Sequence, residues 1–324
     1  MIIKIKIPTR LHITLISMHD KGYRQNGGIG FTIDAPSLEI HFKQSSTLSI
    51  EDTRVEGFTR DEKKRILDIL NTTSLKMSFD FRYEAIIKGN VPTHMGFGSS
   101  TAIRLALIEG LYLVNNRDYT QEEVVKSSER GGVSGIGIET YFGGGFVFDM
   151  GRRYKSDFAP SSAMETREKT LPLLCKRVNM PQWQIGICIP SIKPKTEKEE
   201  KSFFNKICPI AEEESYKTLY HASYGVLASV MEGDHNTFAE AIKHIQTCYW
   251  KGAERLLYGD ALINEENILY ECGAHAVGMS SLGASLYFVA DDISKVVNKA
   301  KQQLKNSIFY EANVNNKGRI ISHD

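Results

Sequence analysis

The sequence contains few cysteines, and their distribution excludes two kinds of site. The 324 residues include five, Cys175, Cys188, Cys208, Cys248 and Cys272, and no two of them form a CxxC pair. A disulfide framework needs paired cysteines, and a structural zinc site needs closely spaced ones. We therefore expect buried thiols in a reducing compartment, which predicts a cytoplasmic protein.

Long apolar runs and an excess of charge are also lacking. No run approaches the roughly twenty residues of a transmembrane helix. The N-terminal MIIKIKIPTR alternates apolar and basic residues, which is typical of a strand and not of a signal peptide. Forty basic side chains are balanced by 39 acidic ones, for a formal net charge of +1. Bulk electrostatics therefore predicts neither a nucleic-acid nor a membrane partner, and any anion site must be local.

The apolar residues that are present suffice for a large core. They make up 41% of the chain, and the length suits about two domains. Hydrophobic periodicity predicts strands over residues 3–7, 13–16, 38–42, 48–50, 79–87, 183–189 and 285–289. It predicts helices over 101–114, 121–129 and 293–304, and within 212–231 and 236–250. We infer an α+β fold with an N-terminal phosphate-binding domain (1–165) and a C-terminal α+β domain (166–324).

The segment VPTHMGFGSSTA (91–102) is the most informative part of the sequence. Gly96 and Gly98 let the backbone approach a ligand closely, while Ser99, Ser100 and Thr101 bring hydroxyls beside the unpaired amides of a helix start. Such a loop favours binding of a di- or triphosphate. The alternative is a glycine turn followed by a Ser or Thr helix cap. The loop is neither a Walker A sequence nor the dinucleotide fingerprint GxGxxG.

A second candidate cluster lies near the N-terminus. Arg10 and His12 are two apart on a predicted strand and so share a face, and Arg24 precedes Gly27 and Gly28. Arginines beside glycine-rich backbone suit bidentate recognition of phosphate or carboxylate. An exposed strand arginine and a core histidine are the alternative.

Two further segments have alternative interpretations. In CGAHAVGMSSLGASLYF, Ser280 and Ser281 precede a predicted strand. These small residues form either an ordinary turn or a close approach of the second domain to a phosphate bound by the first. The connector KPKTEKEEKSFF carries a run of charges, which is typical of a solvated loop or helix face, with an active-site lid as the alternative.

These motifs carry a resemblance to a known family. The loop resembles the PxxxGLGSS loop of galacto-, homoserine, mevalonate and phosphomevalonate kinases (GHMP kinases). Along nearly its whole length the chain is similar to β-ribofuranosylaminobenzene 5′-phosphate synthases, a branch of that superfamily. The matching motifs are RLHITLISMH with NGGIG, MGFGSSTA, ERGGVSGIG with GGFVFD, and GMSSLG. The resemblance implies a two-domain fold whose N-terminal half is like domain 2 of ribosomal protein S5 and whose C-terminal half is ferredoxin-like.

The resemblance also implies an activity. Members of this family condense phosphoribosyl pyrophosphate with 4-aminobenzoate or 4-hydroxybenzoate, releasing carbon dioxide and pyrophosphate, on the route to methanopterin-type carriers. Because rearomatisation drives the loss of carbon dioxide, neither pyridoxal phosphate nor a pyruvoyl group is expected. Mg²⁺ is a candidate cofactor, and a homodimer is a candidate assembly.

Roles for individual residues follow from the resemblance and from charge. We expect Arg10, His12 and Arg130 to be catalytic. The expected substrate- or phosphate-binding residues are Arg24, Gly27, Gly28, Gly96, Gly98, Ser99, Ser100, Thr101, Gly131, Ser134, Gly135, Ser280 and Ser281. Asp149 is either a ligand for Mg²⁺ or ribose hydroxyls, or a turn cap.

One departure from the kinases concerns the catalytic base. Kinases of the mevalonate type carry Ser-Gly-x-Asp, and the matching residues here are Ser134, Gly135, Ile136 and Gly137. Loss of a general base commonly costs about two to four orders of magnitude in rate, although Glu139 is close enough in sequence to substitute. The alternatives are therefore an ATP-dependent small-molecule kinase and a non-catalytic phosphosugar or nucleotide sensor.

Overall fold

The computed structural model describes residues 2–130, 134–153, 158, 160 and 172–324. Within them the chain folds as α+β. The strands are β1 Ile2–Ser17, β2 Arg24–Ser45, β3 Ser49–Asp52, β4 Arg82–Gly89, β5 Phe146–Asp149, β6 Arg152–Arg153, β7 Leu174–Val178, β8 Gln184–Ile189, β9 Ala276–Met279, β10 Leu286–Val289, β11 Ile308–Asn313 and β12 Ile320–His323. The helices are α1 Arg60–Lys76, α2 Ser99–Val114, α3 Gln121–Ser127, α4 Ile136–Gly143, α5 Glu197–Ile207, α6 Glu212–Tyr220, a π-helical segment His221–Leu227, α7 Ala228–Glu232, α8 His235–Thr247, α9 Tyr249–Leu256, α10 Asp260–Glu271 and α11 Ile293–Gln303.

The first sheet is built on two long antiparallel strands. Its order is β12-β1-β2-β4-β3, and β5 and β6 pair with β2 while β7 pairs with β5. Near the start of β1, Ile3, Ile5 and Ile7 are buried and the intervening Lys4 and Lys6 are less so, as the pleat requires. The predicted strands 3–7 and 13–16 are parts of this single strand, whose register shifts between Ile7 and Thr9 and again between His12 and Thr14.

The second sheet has the order β11-β8-β10-β9, with every neighbouring pair antiparallel. In chain order it reads strand, helices, two strands, helix and strand, which is the ferredoxin-like arrangement. The α+β fold with a ferredoxin-like C-terminal half is therefore confirmed.

The two sheets do not divide the chain at one point. β7 and β12 both follow residue 166, yet both pair within the first sheet. A buried ion pair supports the return of the C-terminus, because Arg319 Nε donates to Glu109 Oε1 at 3.0 Å and Tyr119 donates to the same oxygen at 2.8 Å. The predicted boundary at 165/166 falls outside the described residues and stays a prediction.

The charged connector forms α5, which agrees with the predicted helix face. Thr196 and Glu199 make a capping box at its start. Its Phe203 and Phe204 are buried against Trp250, with ring centroids 5.7 and 5.4 Å away. This contact anchors the helix beside the end of β1.

The five cysteines are unpaired, but they do not share one environment. Cys188, Cys248 and Cys272 are buried as expected, Cys208 is half-buried and Cys175 is exposed. The expectation of five buried thiols is therefore wrong for Cys175, which lies in the partly exposed strand β7. In the described part of the chain, none of the helices has the length and apolar character needed to span a membrane.

Candidate active site

The glycine-rich loop ends at the N-terminus of α2. Gly98 is the N-cap in the left-handed region (φ +69°), and it has no side chain to cap the helix. Helix starts carry backbone N–H groups without intrahelical partners and a partial positive charge. This end of α2 can therefore offer an anion the backbone N–H groups of Ser99 and Ser100, whereas that of Thr101 donates to the carbonyl oxygen of Gly98 at 3.1 Å. Anion binding by these residues stays a prediction.

The loop is fixed from the other domain by contact between backbones. Gly96 has φ +90°, and an added Cβ would collide with the carbonyl oxygen of Ser280. A Cβ on Gly283 would collide with the nitrogen of Gly96. The segment GMSSLG therefore contacts the glycine-rich loop 91–102, and the contact depends on glycine on both sides. The bound phosphate expected beside it stays a prediction.

Arg10 lies directly on the loop. Its Nη2 would be 2.5 Å from a Cβ on Gly98, and its Nη1 donates to the carbonyl oxygen of Gly96 at 3.3 Å. Its Nε is buried and has no hydrogen-bond partner within the described chain. Burial lowers the pKa of Arg10 to about 10, which leaves it charged at pH 7.

His12 is 6% exposed and connects three segments. Its backbone nitrogen donates to Ser280 Oγ at 3.1 Å, and its carbonyl oxygen accepts from the nitrogen of Ser281 at 2.9 Å. Its ring would be 3.4 Å from a Cβ on Gly28. Burial, followed by the charges of Arg10 and Lys251, holds the pKa of His12 well below its ordinary value. The imidazole is therefore neutral at pH 7.

The two serines of GMSS have different positions. The hydroxyl of Ser280 makes two hydrogen bonds, because it donates to the carbonyl oxygen of Gly96 at 2.9 Å and accepts from His12 N at 3.1 Å. Ser280 therefore connects β1 to the phosphate loop. Ser281, at φ +53°, is only partly buried.

A buried lysine under this turn was not predicted. Lys251 Nζ donates to Glu254 Oε2 at 2.6 Å and to the carbonyl oxygen of Ser281 at 3.1 Å. Burial lowers the pKa of the lysine and raises that of Glu254, whereas each partner opposes the shift of the other. In sequence the pair looks like an ordinary i,i+3 surface pair, so nothing there indicates its burial.

The second glycine-rich motif is anchored by Asp149. Its Oδ2 accepts from the nitrogen of Gly135 at 2.6 Å and its Oδ1 from that of Gly151 at 2.7 Å. Burial raises the pKa of Asp149 to about 6, although these hydrogen bonds favour the carboxylate. Ser134 Oγ accepts from the nitrogen of Ile136 at 3.3 Å. Gly131 lies outside the described residues.

Gly137 lies next to the phosphate loop. A Cβ on it would be 3.4 Å from Cγ2 of Thr101. Glu139, two residues further along α4, lies about 200° around the helix. Its carboxylate accepts from Gln121 at 3.2 Å and pairs with Arg177. Glu139 therefore faces away from Thr101 and does not replace the missing base.

The structure separates Arg24 from Arg10. Arg10 pairs with Thr32 across β1 and β2, and Arg24 is eight residues from Thr32 on β2, roughly 25 Å along the strand. Arg24 donates to the carbonyl oxygens of Met150 and Gly151 at 2.8 and 2.7 Å.

Gly27, like Arg24, contacts the backbone of the turn at residues 149–151. It has φ +75°, and a Cβ on it would be 2.6 Å from the carbonyl oxygen of Asp149. In this structure, therefore, Arg24 and Gly27 both hold β2 to the turn that follows β5.

No metal cluster is found in the described part of the chain, where no three His, Cys, Asp or Glu side chains are placed to share an ion. Asp149, the candidate Mg²⁺ ligand, is 1% exposed and uses both oxygens on backbone N–H groups. It fits a turn anchor and not a metal ligand.

Comparison with solved structures defines the class of fold. Homoserine kinase from Cytophaga hutchinsonii matches with a TM-score of 0.70 at 16% identity, covering 99% of this chain and 97% of that chain. L. major mevalonate kinase matches with a TM-score of 0.66 at 13% identity, covering 96% and 95%. Residues 64–144 match the family described as GHMP kinases N terminal domain. The protein has the two-domain α+β fold of these kinases.

Comparison with known sequences gives the family. Beta-ribofuranosylphenol 5′-phosphate synthase from Methanothermobacter thermautotrophicus is 31% identical over 294 residues, 89% of this chain and 88% of its own length. The protein of that name from Methanocaldococcus jannaschii is 29% identical over 329 residues, 98% of each chain. The chain belongs to the β-ribofuranosylphenol 5′-phosphate synthase family and is an enzyme, a transferase. The resemblance carried by the motifs is confirmed.

Proposed function

We propose that this enzyme condenses phosphoribosyl pyrophosphate with a para-substituted benzoate, releasing pyrophosphate and carbon dioxide, as a cytoplasmic step towards methanopterin-type carriers. The relatives' name contains a phenol, which favours 4-hydroxybenzoate over 4-aminobenzoate as the acceptor. The bond between ribose C1 and the pyrophosphate oxygen breaks, and C1 bonds to the ring carbon that bears the carboxylate. That carbon then loses carbon dioxide, and the electron pair restores the aromatic ring.

We assign the diphosphate to the loop at the start of α2. The uncapped helix N-terminus supplies backbone N–H groups, and the charged guanidinium of Arg10 lies against Gly96 and Gly98. Fixed donors of this kind stabilise a leaving pyrophosphate without reorganisation. Arg10 Nε supports an anion there, because it is a buried donor without a partner among the described residues and leaving such a donor unpaired is costly.

The observation that carries the proposal is Gly137 beside Thr101. At this position, where the kinase pattern places an aspartate, the residue beside Thr101 is a glycine, which has no carboxylate. Phosphoryl transfer to an alcohol needs an acceptor hydroxyl to lose its proton, whereas attack by a ring carbon without a hydrogen does not. The glycine therefore favours the synthase over a kinase.

Two other side chains receive roles in this proposal. His12 is neutral at pH 7, so it offers one N–H donor and adds no charge beside Arg10 and Lys251. We propose that it donates a hydrogen bond to the substrate carboxylate or phosphate. Lys251 holds the Ser281 turn against the loop and acts through that turn.

The proposed reaction requires no organic cofactor from the protein. Rearomatisation supplies the driving force for decarboxylation, so no step needs pyridoxal phosphate or a pyruvoyl group. We assign no protein ligand to Mg²⁺, since Asp149 does not fit one. An Mg²⁺ ion would enter with the diphosphate as part of the substrate.

An activity assay tests the proposal. The enzyme is incubated with phosphoribosyl pyrophosphate and Mg²⁺, with and without each benzoate, and pyrophosphate is measured. Parallel reactions contain ATP and a panel of small alcohols, and ADP is measured. We expect pyrophosphate release that depends on 4-hydroxybenzoate. Alcohol-dependent release of ADP without pyrophosphate would instead show a kinase. If neither product formed in either assay, the non-catalytic sensor would be favoured.

A further inference from the structure

Two arginines, Arg104 and Arg130, lie close enough to interact electrostatically beside the start of α2. Arg104 is four residues after Ser100, so the two share a face of the helix, and side chains on a helix lean towards its N-terminus. Arg104 Nη1 is 3.5 Å from the carbonyl oxygen of Ser128, and Arg130 N donates to Ser128 Oγ at 3.2 Å. Ser128 therefore keeps both arginines beside the first turn of α2.

Both guanidinium groups have buried donors that are not used. Among the described residues, the Nε atoms of Arg104 and Arg130 have no hydrogen-bond partner. Burial lowers the pKa of both, that of Arg130 to about 9, and the charge of Arg104 lowers the latter further. Like charges held together in a buried place repel, and each orphaned donor adds a desolvation cost. An anion between them relieves both costs.

The nearby carboxylates have other partners. Glu62 accepts from Thr59 N at 2.8 Å and pairs with His94 at 3.0 Å. Glu197 on α5 is 3.3 Å from Lys201 and 3.9 Å from Arg65. Three carboxylates attract the arginines: Glu62 attracts both, Glu197 attracts Arg130 and Glu129 attracts Arg104. Arg65 repels Arg104. These charges moderate the repulsion without supplying the missing hydrogen bonds.

We propose that Arg104 and Arg130 form a second anion subsite, which binds the phosphate monoester at the 5′ position of the ribose whose diphosphate lies on the loop. The inference rests on the proposed function and adds the place of the second phosphate. The Cα atom of Arg104 is about 9 Å along the helix axis from that of Gly98, and because the side chain leans back towards the helix N-terminus, its guanidinium is closer to the loop than that. Guanidinium forks match the oxygens of a phosphate dianion.

Titration calorimetry with two ligands tests the subsite. Ribose 5-phosphate and pyrophosphate are titrated separately into wild type and Arg104→Gln, with Arg117→Gln as the matched control. Arg117 is an exposed arginine just beyond the opposite end of α2. We expect Arg104→Gln to weaken ribose 5-phosphate binding about tenfold or more, as for a lost charged hydrogen bond. Pyrophosphate binding should change by less than about twofold, and Arg117→Gln should bind both ligands like wild type.

Each other outcome has a defined meaning. Wild-type affinity for ribose 5-phosphate in Arg104→Gln, or equal weakening of both ligands, overturns the separate subsite. If the wild-type enzyme binds pyrophosphate but not ribose 5-phosphate, the separate subsite is also overturned, but the proposed function is not. Wild type that binds neither overturns the proposed function itself. If Arg104→Gln does not fold, Arg104→Lys keeps the charge beside Ser128 and should still lose affinity for ribose 5-phosphate alone.

Discussion

The guanidinium of Arg10 occupies the space that a side chain on Gly98 would need. Nη2, Cζ and Nε of Arg10 would be 2.5, 2.8 and 2.8 Å from a Cβ there. The arginine is thus held against the turn that opens α2, and its position depends on the absence of one methyl group.

Gly98→Ala should displace Arg10 and weaken diphosphate binding. We expect the Kd for pyrophosphate to rise about tenfold, the equivalent of about 1.4 kcal/mol. The backbone strain of alanine in the left-handed region costs about 1 kcal/mol of stability. Gly233→Ala is the matched control, because Gly233 has φ +76° and nothing within 4 Å of an added Cβ. Equal loss of binding in both variants would contradict the role of Arg10.

Gly137→Asp should inhibit the enzyme by charge. The new carboxylate would lie beside Thr101 and repel a diphosphate at the start of α2. Gly137→Asn adds nearly the same volume without the charge, so the difference between the variants isolates the electrostatic effect. We expect a KM for phosphoribosyl pyrophosphate about tenfold higher in Gly137→Asp than in Gly137→Asn. Similar kinetics in the two variants would place the diphosphate elsewhere.

Ser280→Ala should loosen the contact between the two domains. It leaves the half-buried carbonyl oxygen of Gly96 with only the 3.3 Å hydrogen bond from Arg10 and leaves the nitrogen of His12 without its acceptor. The free energy of unfolding, measured with urea, should fall by about 1–3 kcal/mol. Ser281→Ala removes a partly exposed hydroxyl next to it and should change stability by less than about 0.5 kcal/mol. A neutral Ser280→Ala would show that this serine does not join β1 to the loop.

Glu200 on α5 should make stability depend on pH. Burial raises the pKa of Glu200 to about 7, whereas in the unfolded chain a glutamate has its ordinary pKa of about 4.3. Between these two pH values the folded protein keeps a proton on Glu200 that the unfolded chain has lost. Stability from this group therefore falls as the pH rises through that range. Glu200→Gln should raise Tm more at pH 8 than at pH 5, whereas Glu51→Gln, at an exposed position of β3, should not. An increase in Tm for Glu200→Gln that is the same at pH 5 and pH 8 would contradict the raised pKa of Glu200.

The fold was predictable because its signals are local. Alternating isoleucines and lysines indicated β1, and apolar spacing indicated α2. Helix α1 was not predicted because its residues are mostly polar, although Thr59 and Glu62 form a capping box at its start. The return of β12 to the first sheet was also missed, because its pairing with β1 joins the two ends of the chain.

Part of the candidate site was predicted, because some of its signals are also local in the sequence. Glycines and serines in a loop indicate a phosphate site from sequence alone, and Arg10 and His12 share a face because a strand has period two. Burial cannot be read that way. Lys251 and Arg104 occupy ordinary helical positions, and only tertiary packing shows that one is fully buried and the other has an unpaired donor.

The most direct test of the central claim is the ratio of two products. With phosphoribosyl pyrophosphate and 4-hydroxybenzoate labelled in its carboxyl carbon, we expect one labelled carbon dioxide for each pyrophosphate. Neither product should form when either substrate is left out. Pyrophosphate formed while the label stays in the aromatic product would contradict the claim, because the new bond would then not form at the carbon that bears the carboxylate.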